Sequence, residues 1–284
     1  MTEPADATPG AHTPRSAPAP RPTPAQPPTR AARAHSFNAA AAQYAAHRPT
    51  YPPALFDALE ELTGRPLTGS RVADIGAGTG IATALLHARG ARVVAVEPGD
   101  GMAAQFRRTL PGIPLVRGSG DDLPLATASL DLVTYAQAWH WTDPARSVPE
   151  ALRALRPGGA LALWWNTDAL DVPWIAEAAA RTARHFGIDV SAEKRDVNAR
   201  AADPTGRLDL TRRTVRWSRR VPVDTHLANR ASHSVFLVHG PERTAPFLAA
   251  EREYLLRAFP DGQVEEVYEV ILLCARTPSG QPAA

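Results

Sequence analysis

The chain has 284 residues with 31 basic and 29 acidic side chains, so its net charge is only +2. Without concentrated positive charge to meet phosphates, the composition argues against nucleic-acid binding. The single cysteine, Cys274, rules out an internal disulfide bond. The apolar runs are too short for a membrane span or a secretory signal, which makes the cytoplasm the expected location.

Residues 1–34 consist largely of proline, alanine and threonine with scattered arginines. Dense prolines lack amide donors, and the segment has no apolar pattern that could build a packed core. We therefore expect a disordered, partly extended tail, followed by a folded domain from about residue 35.

Strands and helices alternate in the folded domain up to residue 166. Two helices open it, one at residues 37–46 and one beginning at Pro52-Pro53. Strands are then expected at residues 71–75, 92–96, 113–116, 130–135 and 160–165. Helices are expected between them at residues 81–88, 101–110 and 147–155. This alternation predicts an α/β fold with a mostly parallel sheet and helices on both faces.

The second half of the chain is less regular. Its pattern predicts a helix at 174–186, a strand at 214–220, a helix at 246–259 and one long or two short strands at 264–275. We expect residues 35–166 to form the core and residues 167–276 to supply the last strands and a small cap over the substrate.

The sharpest local signal is the run Asp74-Ile75-Gly76-Ala77-Gly78-Thr79-Gly80, placed where a buried strand turns into a helix. Glycines let a ligand approach the backbone, and a helix N-terminus offers unpaired amide donors. Glu97 closes the next strand, where a carboxylate can accept hydrogen bonds from both hydroxyls of a ribose. The spacing G-x-G-x-G does not fit the G-x-G-x-x-G pattern, which argues against a dinucleotide cofactor.

Further motifs surround this turn in a fixed order. They are FNAAAAQYAAHRPTYP, VADIGAGTG, AVEPGDGM, GSGDDLPLATASLDLV, QAWHWTD, LRPGGALALWWN and ASHSVF. Together they resemble the class I S-adenosylmethionine-dependent methyltransferases, in the type 11 small-molecule branch that includes trans-aconitate methyltransferases. The resemblance implies a Rossmann-like seven-stranded sheet with an antiparallel last strand pair. It also implies S-adenosyl-L-methionine as the cofactor and methyl transfer to a small molecule.

The resemblance further implies the cofactor contacts. The methionine part would meet Asp74, Gly76, Ala77, Gly78, Gly80 and Gln137, the ribose would meet Glu97, and the adenine would meet Pro98, Met102, Ser119, Gly120 and Asp121. Asp74 could instead orient the turn, and Met102 could simply pack its helix. Ser119 stands where many relatives carry an aspartate, so the exact adenine contacts stay open.

His140 follows the fourth strand and is the predicted catalytic residue. It could remove a proton from the acceptor, orient a carboxylate, or only hydrogen-bond its own loop. Trp141 and Trp165 are candidates for the wall of the acceptor pocket. Because neighbouring strand residues face opposite sides, only one of Trp164 and Trp165 can point to that pocket.

Arginines provide a second hint about the acceptor. By resemblance, Tyr44 and Arg48 would close over the site, with Arg48 meeting the cofactor carboxylate. They could instead be exposed helix residues that touch no ligand. Residues 191–220 have an excess of arginine. Arg213 or Arg216 could attract an acidic acceptor, although solvated ion pairs would explain the same excess. A carboxylate acceptor is the first expectation, and a hydroxyl or a carbon centre is the second.

Two other functions stay open. A non-catalytic module could keep the S-adenosylmethionine pocket without acceptor chemistry, and a nicotinamide-dependent oxidoreductase is the weaker alternative. The sequence has no His/Cys spacing typical of a metal site, so no metal is expected.

Overall fold

The computed structural model describes residues 41–188 and 202–278. The predicted tail at 1–34 lies outside the described residues. So do the start of the first predicted helix and residues 191–201 of the arginine-rich segment.

The described residues form one seven-stranded sheet. Its strands are β1 (Arg71–Ile75), β2 (Arg92–Val96), β3 (Leu115–Val116), β4 (Leu130–Ala136), β5 (Leu155–Asp168), β6 (Thr211–Pro222) and β7 (Gln263–Arg276). The strand order is β3-β2-β1-β4-β5-β7-β6. The strands from β3 to β5 pair in parallel, whereas β7 runs antiparallel to both β5 and β6. The Rossmann-like fold and its antiparallel last strands are therefore confirmed.

Helices cover the sheet and its carboxyl edge. They are α1 (Ala41–His47), α2 (Pro53–Thr63), α3 (Ile81–Ala88), α4 (Asp100–Thr109), α5 (Pro144–Ala154), α6 (Pro173–Phe186), α7 (Val223–Ala231) and α8 (Ser234–Ala258). A short 3₁₀ turn at Trp139–Trp141 follows β4. No helix in the described ranges has both the length and the apolar character needed to cross a bilayer.

Two helix predictions in the second half were incomplete. The sequence pattern did not indicate α7, and it predicted the start of the following helix at residue 246, whereas α8 begins at Ser234. The backbone of α8 is broken at Gly240, where φ is 72° and ψ is 170°. Gly240 and the following Pro241 interrupt the helical pattern, which hid the first part of α8.

The apolar core lies on both faces of the sheet. One cluster joins α2, α3 and α4 to the sheet through side chains such as Phe56, Leu86 and Trp164. The cluster on the other face contains Val148 of α5 and Trp165. The two tryptophans thus point to opposite faces, as strand alternation predicts.

An ionic cluster closes the amino edge of the sheet. Asp131, at the start of β4, is only 6% exposed and accepts a hydrogen bond from the backbone N–H of Arg71 at 2.7 Å. The guanidinium groups of Arg65, Arg71 and Arg156 lie 3.2, 3.5 and 2.5 Å from its oxygens. Asp131 therefore joins β1, β4 and β5 at the edge opposite to their carboxyl ends.

The helices α1, α7 and α8 lie over the carboxyl edge. The Arg48 guanidinium donates to the Ser232 carbonyl at 3.3 Å, and the Arg219 guanidinium donates to the His47 carbonyl at 3.2 Å. Glu266 of β7 is 2% exposed and contacts His226 of α7 at 2.7 Å. These bonds connect α1 to β6, α7 to β7, and the residue after α1 to the residue after α7.

Candidate functional site

A cleft of about 510 Å³ opens at the carboxyl ends of the strands β1, β2, β4 and β5. Of the sequence-predicted site residues, the cleft brings together Tyr44, Arg48, Gly76, Ala77, Gly78, Glu97, Pro98, Met102, Ser119, Gly120, Gln137, His140 and Trp141. Its size falls within the range of small-molecule sites, and open α/β sheets bind ligands at this edge.

The floor of the cleft is the turn between β1 and α3. Gly76 has φ of 66°, and a Cβ atom there would lie 2.5 Å from the Cβ of Ala138. Its N–H donates to the Val96 carbonyl at 2.8 Å. Glycine is therefore required both for the left-handed backbone and for the close approach of the loop after β4.

Glu97 is held at the end of β2 by the backbone. It is 6% exposed, and its two carboxylate oxygens accept hydrogen bonds from Gly78 N at 2.8 Å and Gly99 N at 2.7 Å. Burial raises the pKa of Glu97, and these two hydrogen bonds oppose the rise. Each oxygen keeps a further lone pair, so the side chain can accept hydrogen bonds from a diol.

Asp74 lies beneath the turn and does not line the cleft. It is fully buried, and its oxygens accept hydrogen bonds from Thr83 Oγ1 at 2.6 Å and Thr134 Oγ1 at 3.0 Å. Burial raises the pKa of Asp74 to about 6. Its observed contacts connect β1 to α3 and β4.

Three other predicted site residues lie behind the cleft wall. A Cβ atom on Gly80 would lie 2.5 Å from Leu110 Cδ1, so this glycine packs against the end of α4. Asp121 Oδ1 accepts hydrogen bonds from Asp143 N at 2.8 Å and from Ser147 Oγ at 2.7 Å. Trp165 is 4% exposed, and its indole N–H donates to Nδ1 of His140, which lines the cleft.

The loop after β4 carries the second half of the cleft. Gln137 has φ of 58°, a value that is uncommon for a residue other than glycine and that often marks a functional loop. Its side-chain amide donates to the Asn166 carbonyl at 3.3 Å. His140 Nδ1 accepts a hydrogen bond from the indole N–H of Trp165 at 3.3 Å, and the rings of His140 and Trp141 lie 4.5 Å apart.

The roof of the cleft combines α1 with the start of α8. The Arg48 guanidinium stacks over the Tyr44 ring at 4.7 Å. Arg48 Nε is buried and has no hydrogen-bond partner among the described residues. Burial, together with the nearby Arg48 and Arg230, lowers the pKa of His233 well below its ordinary value. The roof therefore offers hydrogen-bond donors and positive charge to an oxygen-bearing ligand.

Some lining residues were not predicted from the sequence. Thr79, Asn166 and His233 all line the cleft. Thr79 belongs to the glycine run, and its place beside Gly78 could have indicated it. Asn166 ends the motif LRPGGALALWWN and His233 lies within ASHSVF, but neither residue was named for the site. The pairing of β5 with its neighbours and the fold of the second half bring them to the cleft.

The two arginines considered for the acceptor do not line the cleft. Arg213 pairs with Glu61 at 3.3 Å, and Arg216 pairs with Asp171 at 2.8 Å. Both lie on the edge strand β6 and are about half exposed. Their geometry corresponds to surface ion pairs.

The lining residues fit S-adenosylmethionine on two observations. Thr79 Oγ1 is buried at the cleft and has no hydrogen-bond partner in the part of the chain that the structure describes. Glu97 presents lone pairs from a carboxylate that the backbone fixes in place. A polar ligand with a ribose diol would satisfy both groups, since a buried polar atom without a partner is costly.

Comparisons with known proteins agree with this geometry. Residues 73–163 match the family described as a methyltransferase domain. This part of the chain is similar to methyltransferase domains. The matched residues run from β1 into β5 and include the glycine turn, Glu97 and His140.

Individual relatives support the same family. An uncharacterised methyltransferase of Mycobacterium tuberculosis (strain ATCC 25618 / H37Rv) is 45% identical over 142 residues, which cover 50% of this chain and 56% of that protein. A demethylmenaquinone methyltransferase of Clavibacter sepedonicus is 37% identical over 102 residues, which cover 34% of this chain and 42% of that protein. The chain thus spans about half the length, or less, of these curated relatives.

A solved structure extends the likeness beyond the matched segment. A solved structure from Anaeromyxobacter dehalogenans, described as a type II methyltransferase, superposes on this chain with a TM-score of 0.64 at 25% identity. The alignment covers 82% of this chain and 99% of that chain. The likeness therefore includes most of the second half as well as residues 73–163.

Proposed function

We propose that this protein is an S-adenosylmethionine-dependent methyltransferase that acts on a small organic molecule. The observation that carries the proposal is the glycine turn with the buried, backbone-held Glu97 at the cleft floor of a methyltransferase domain. In this proposal, Gly76 and Gly78 allow close approach of the cofactor, and Glu97 accepts hydrogen bonds from its ribose hydroxyls. Met102 and Pro98 supply the apolar contacts for the adenine ring.

Positioning is the main contribution of the chain's own residues. S-adenosylmethionine supplies a methyl group bound to a positively charged sulfur. The carbon of this methyl group is already a good electrophile. The loop after β4 holds His140 and Trp141 against the cleft, and Arg48 and Tyr44 cover it. Alignment of donor and acceptor in such an enclosed site can lower the barrier by about 7–11 kcal/mol at the extreme.

We propose that residues 167–276 contribute to the acceptor side of the site. His233 and Ser234 come from this half and line the cleft together with Arg48 and His140. This arrangement supports a carboxylate as the first candidate acceptor, because cationic and N–H donors pair well with carboxylate oxygens. A hydroxyl or a carbon centre is the second candidate.

The test is titration calorimetry of the full chain with S-adenosylmethionine and S-adenosylhomocysteine. We expect micromolar binding of both ligands. A set of carboxylic acids and hydroxyl compounds is then screened for methyl transfer by mass spectrometry. Absence of binding at millimolar ligand would overturn the proposal, and NADH is titrated in parallel for the nicotinamide alternative. Tight cofactor binding without transfer to any acceptor would favour a non-catalytic binding module.

A further inference from the structure

The imidazole of His140 is bound at one nitrogen by a group that can only donate. Trp165 of β5 is 4% exposed, and its indole N–H donates to His140 Nδ1 at an N–N distance of 3.3 Å. An indole nitrogen has no lone pair available to accept a hydrogen bond. His140 Nδ1 therefore carries no proton while this bond is made, and in the neutral ring the proton lies on Nε2.

The loop around His140 keeps the ring in this orientation. His140 lies in the 3₁₀ turn Trp139–Trp141, where the indole N–H of Trp139 donates to the Ala202 carbonyl at 2.9 Å. Thr142 Oγ1 donates to the Trp139 carbonyl at 2.8 Å. The His140 ring also contacts the Trp141 ring at a centroid distance of 4.5 Å. The turn, the neighbouring ring and the indole of Trp165 together fix the imidazole.

We propose that Trp165 is a positioning residue that holds His140 as the Nε2–H tautomer. The lone pair of Nδ1 is then occupied and Nε2 already carries a proton, so the neutral ring cannot remove a proton from an acceptor without breaking the bond to Trp165. His140 instead offers a hydrogen-bond donor to an oxygen of the acceptor. The role toward the acceptor depends on the proposed methyltransferase function, whereas the tautomer does not.

The adjacent tryptophan provides a matched control. Trp164 is fully buried on the opposite face of the sheet, where its ring lies edge-on to Tyr51 at 5.9 Å. Its indole nitrogen has no hydrogen-bond partner among the residues that the structure describes. Trp164→Phe and Trp165→Phe each remove one indole N–H and keep an aromatic ring, but only the second removes a hydrogen bond to His140.

The tautomer is measured by NMR of the full chain labelled with ¹⁵N-histidine, at about pH 8, where an ordinary histidine is neutral. The His140 signals are assigned from their loss in His140→Gln. We expect the wild-type proton on Nε2. In Trp165→Phe the ratio of the two tautomers shifts about fivefold, the effect of one ordinary hydrogen bond. In Trp164→Phe the ratio stays at the wild-type value. A wild-type proton on Nδ1, or an unchanged ratio in folded Trp165→Phe, would overturn the proposal.

A kinetic comparison tests the donor role. The amide of His140→Gln can donate a hydrogen bond but cannot take up a proton near neutral pH. We expect this variant to keep kcat within about tenfold while KM for the acceptor rises, and His140→Leu to raise KM further. A collapse of kcat in both variants would indicate that His140 is a base and would contradict the donor role. Because the NMR measurement needs no cofactor, failure of S-adenosylmethionine binding would remove the proposed function and leave the tautomer result unaffected.

Discussion

Replacing Glu97 tests the cofactor site most directly. A hydrogen bond to a charged group contributes about 1.5–3 kcal/mol, and the carboxylate of Glu97 is fixed to receive two from a ribose diol. Water refills part of the space in Glu97→Ala, so the net loss is smaller than the sum of the two bonds. We expect binding of S-adenosylmethionine to weaken by about tenfold to a hundredfold, since each factor of ten is about 1.4 kcal/mol.

The assay for Glu97→Ala is calorimetric titration with S-adenosylmethionine, with the fold checked by circular dichroism. Glu97→Gln keeps the shape of the side chain but turns an acceptor into a donor that faces the N–H of Gly78 or Gly99. It is therefore expected to weaken binding to a similar extent. Asp122→Ala is the control, because Asp122 is an exposed acid of the loop after β3. The affinity of this variant for S-adenosylmethionine should stay within about twofold of wild type. If folded Glu97→Ala and Glu97→Gln bind as tightly as wild type, Glu97 does not hold the ribose.

Three further predictions concern stability. The pKa of Asp74 is about 6, above its ordinary value of 3.8. The folded state therefore binds the proton more tightly than the unfolded state. The stability that this group contributes is lost as the pH rises from 3.8 to about 6. Relative to wild type, the free energy of unfolding of Asp74→Asn in urea should therefore rise by up to about 3 kcal/mol as the pH increases from 3.8 to about 6. A difference between the two proteins that does not change with pH would contradict this. In thermal unfolding, Gly76→Ala should lower the stability by about 2 kcal/mol more than Gly78→Ala does. Both glycines have positive φ, but of the two only Gly76 would bring the new Cβ within 3 Å of a neighbour. Equal losses of stability would argue against this close contact. Asp131→Ala should lower the free energy of unfolding by about 2–3 kcal/mol without changing cofactor affinity, and weaker binding in folded protein would refute that separation.

Much of the first half of the fold was predictable because local signals agree there. The bounds of β1, α3 and β2 match the prediction, since glycine and proline punctuate each end of these elements. Strand β5 proved longer than predicted because Leu155 already pairs with Leu130 of β4 and because the strand pairs with β7 as far as Asp168. Its length depends on a partner strand about a hundred residues away, which no local pattern reveals.

The site was predictable where one motif carries it and less so where distant segments meet. The cleft includes Gly76, Gly78 and Glu97, all named from the sequence by spacing and resemblance. His233 reaches the cleft only because α7 and α8 fold over the carboxyl edge, and α7 was not predicted. Asp121 was expected near the adenine, but its carboxylate accepts hydrogen bonds from Asp143 N and Ser147 Oγ at the start of α5. Sequence spacing places a residue on a loop but does not determine which way its side chain turns.

The ionic cluster around Asp131 has a consequence for how this protein can vary. It joins β1, β4 and β5 at the amino edge of the sheet, whereas Glu97 and His140 lie at the carboxyl edge. Because the two edges lie at opposite ends of the strands, the energetic effects of substitutions there should be nearly additive. Substitutions at the Asp131 edge that raise the free energy of unfolding can therefore be made first. The added stability then compensates for destabilising substitutions that redesign the acceptor pocket.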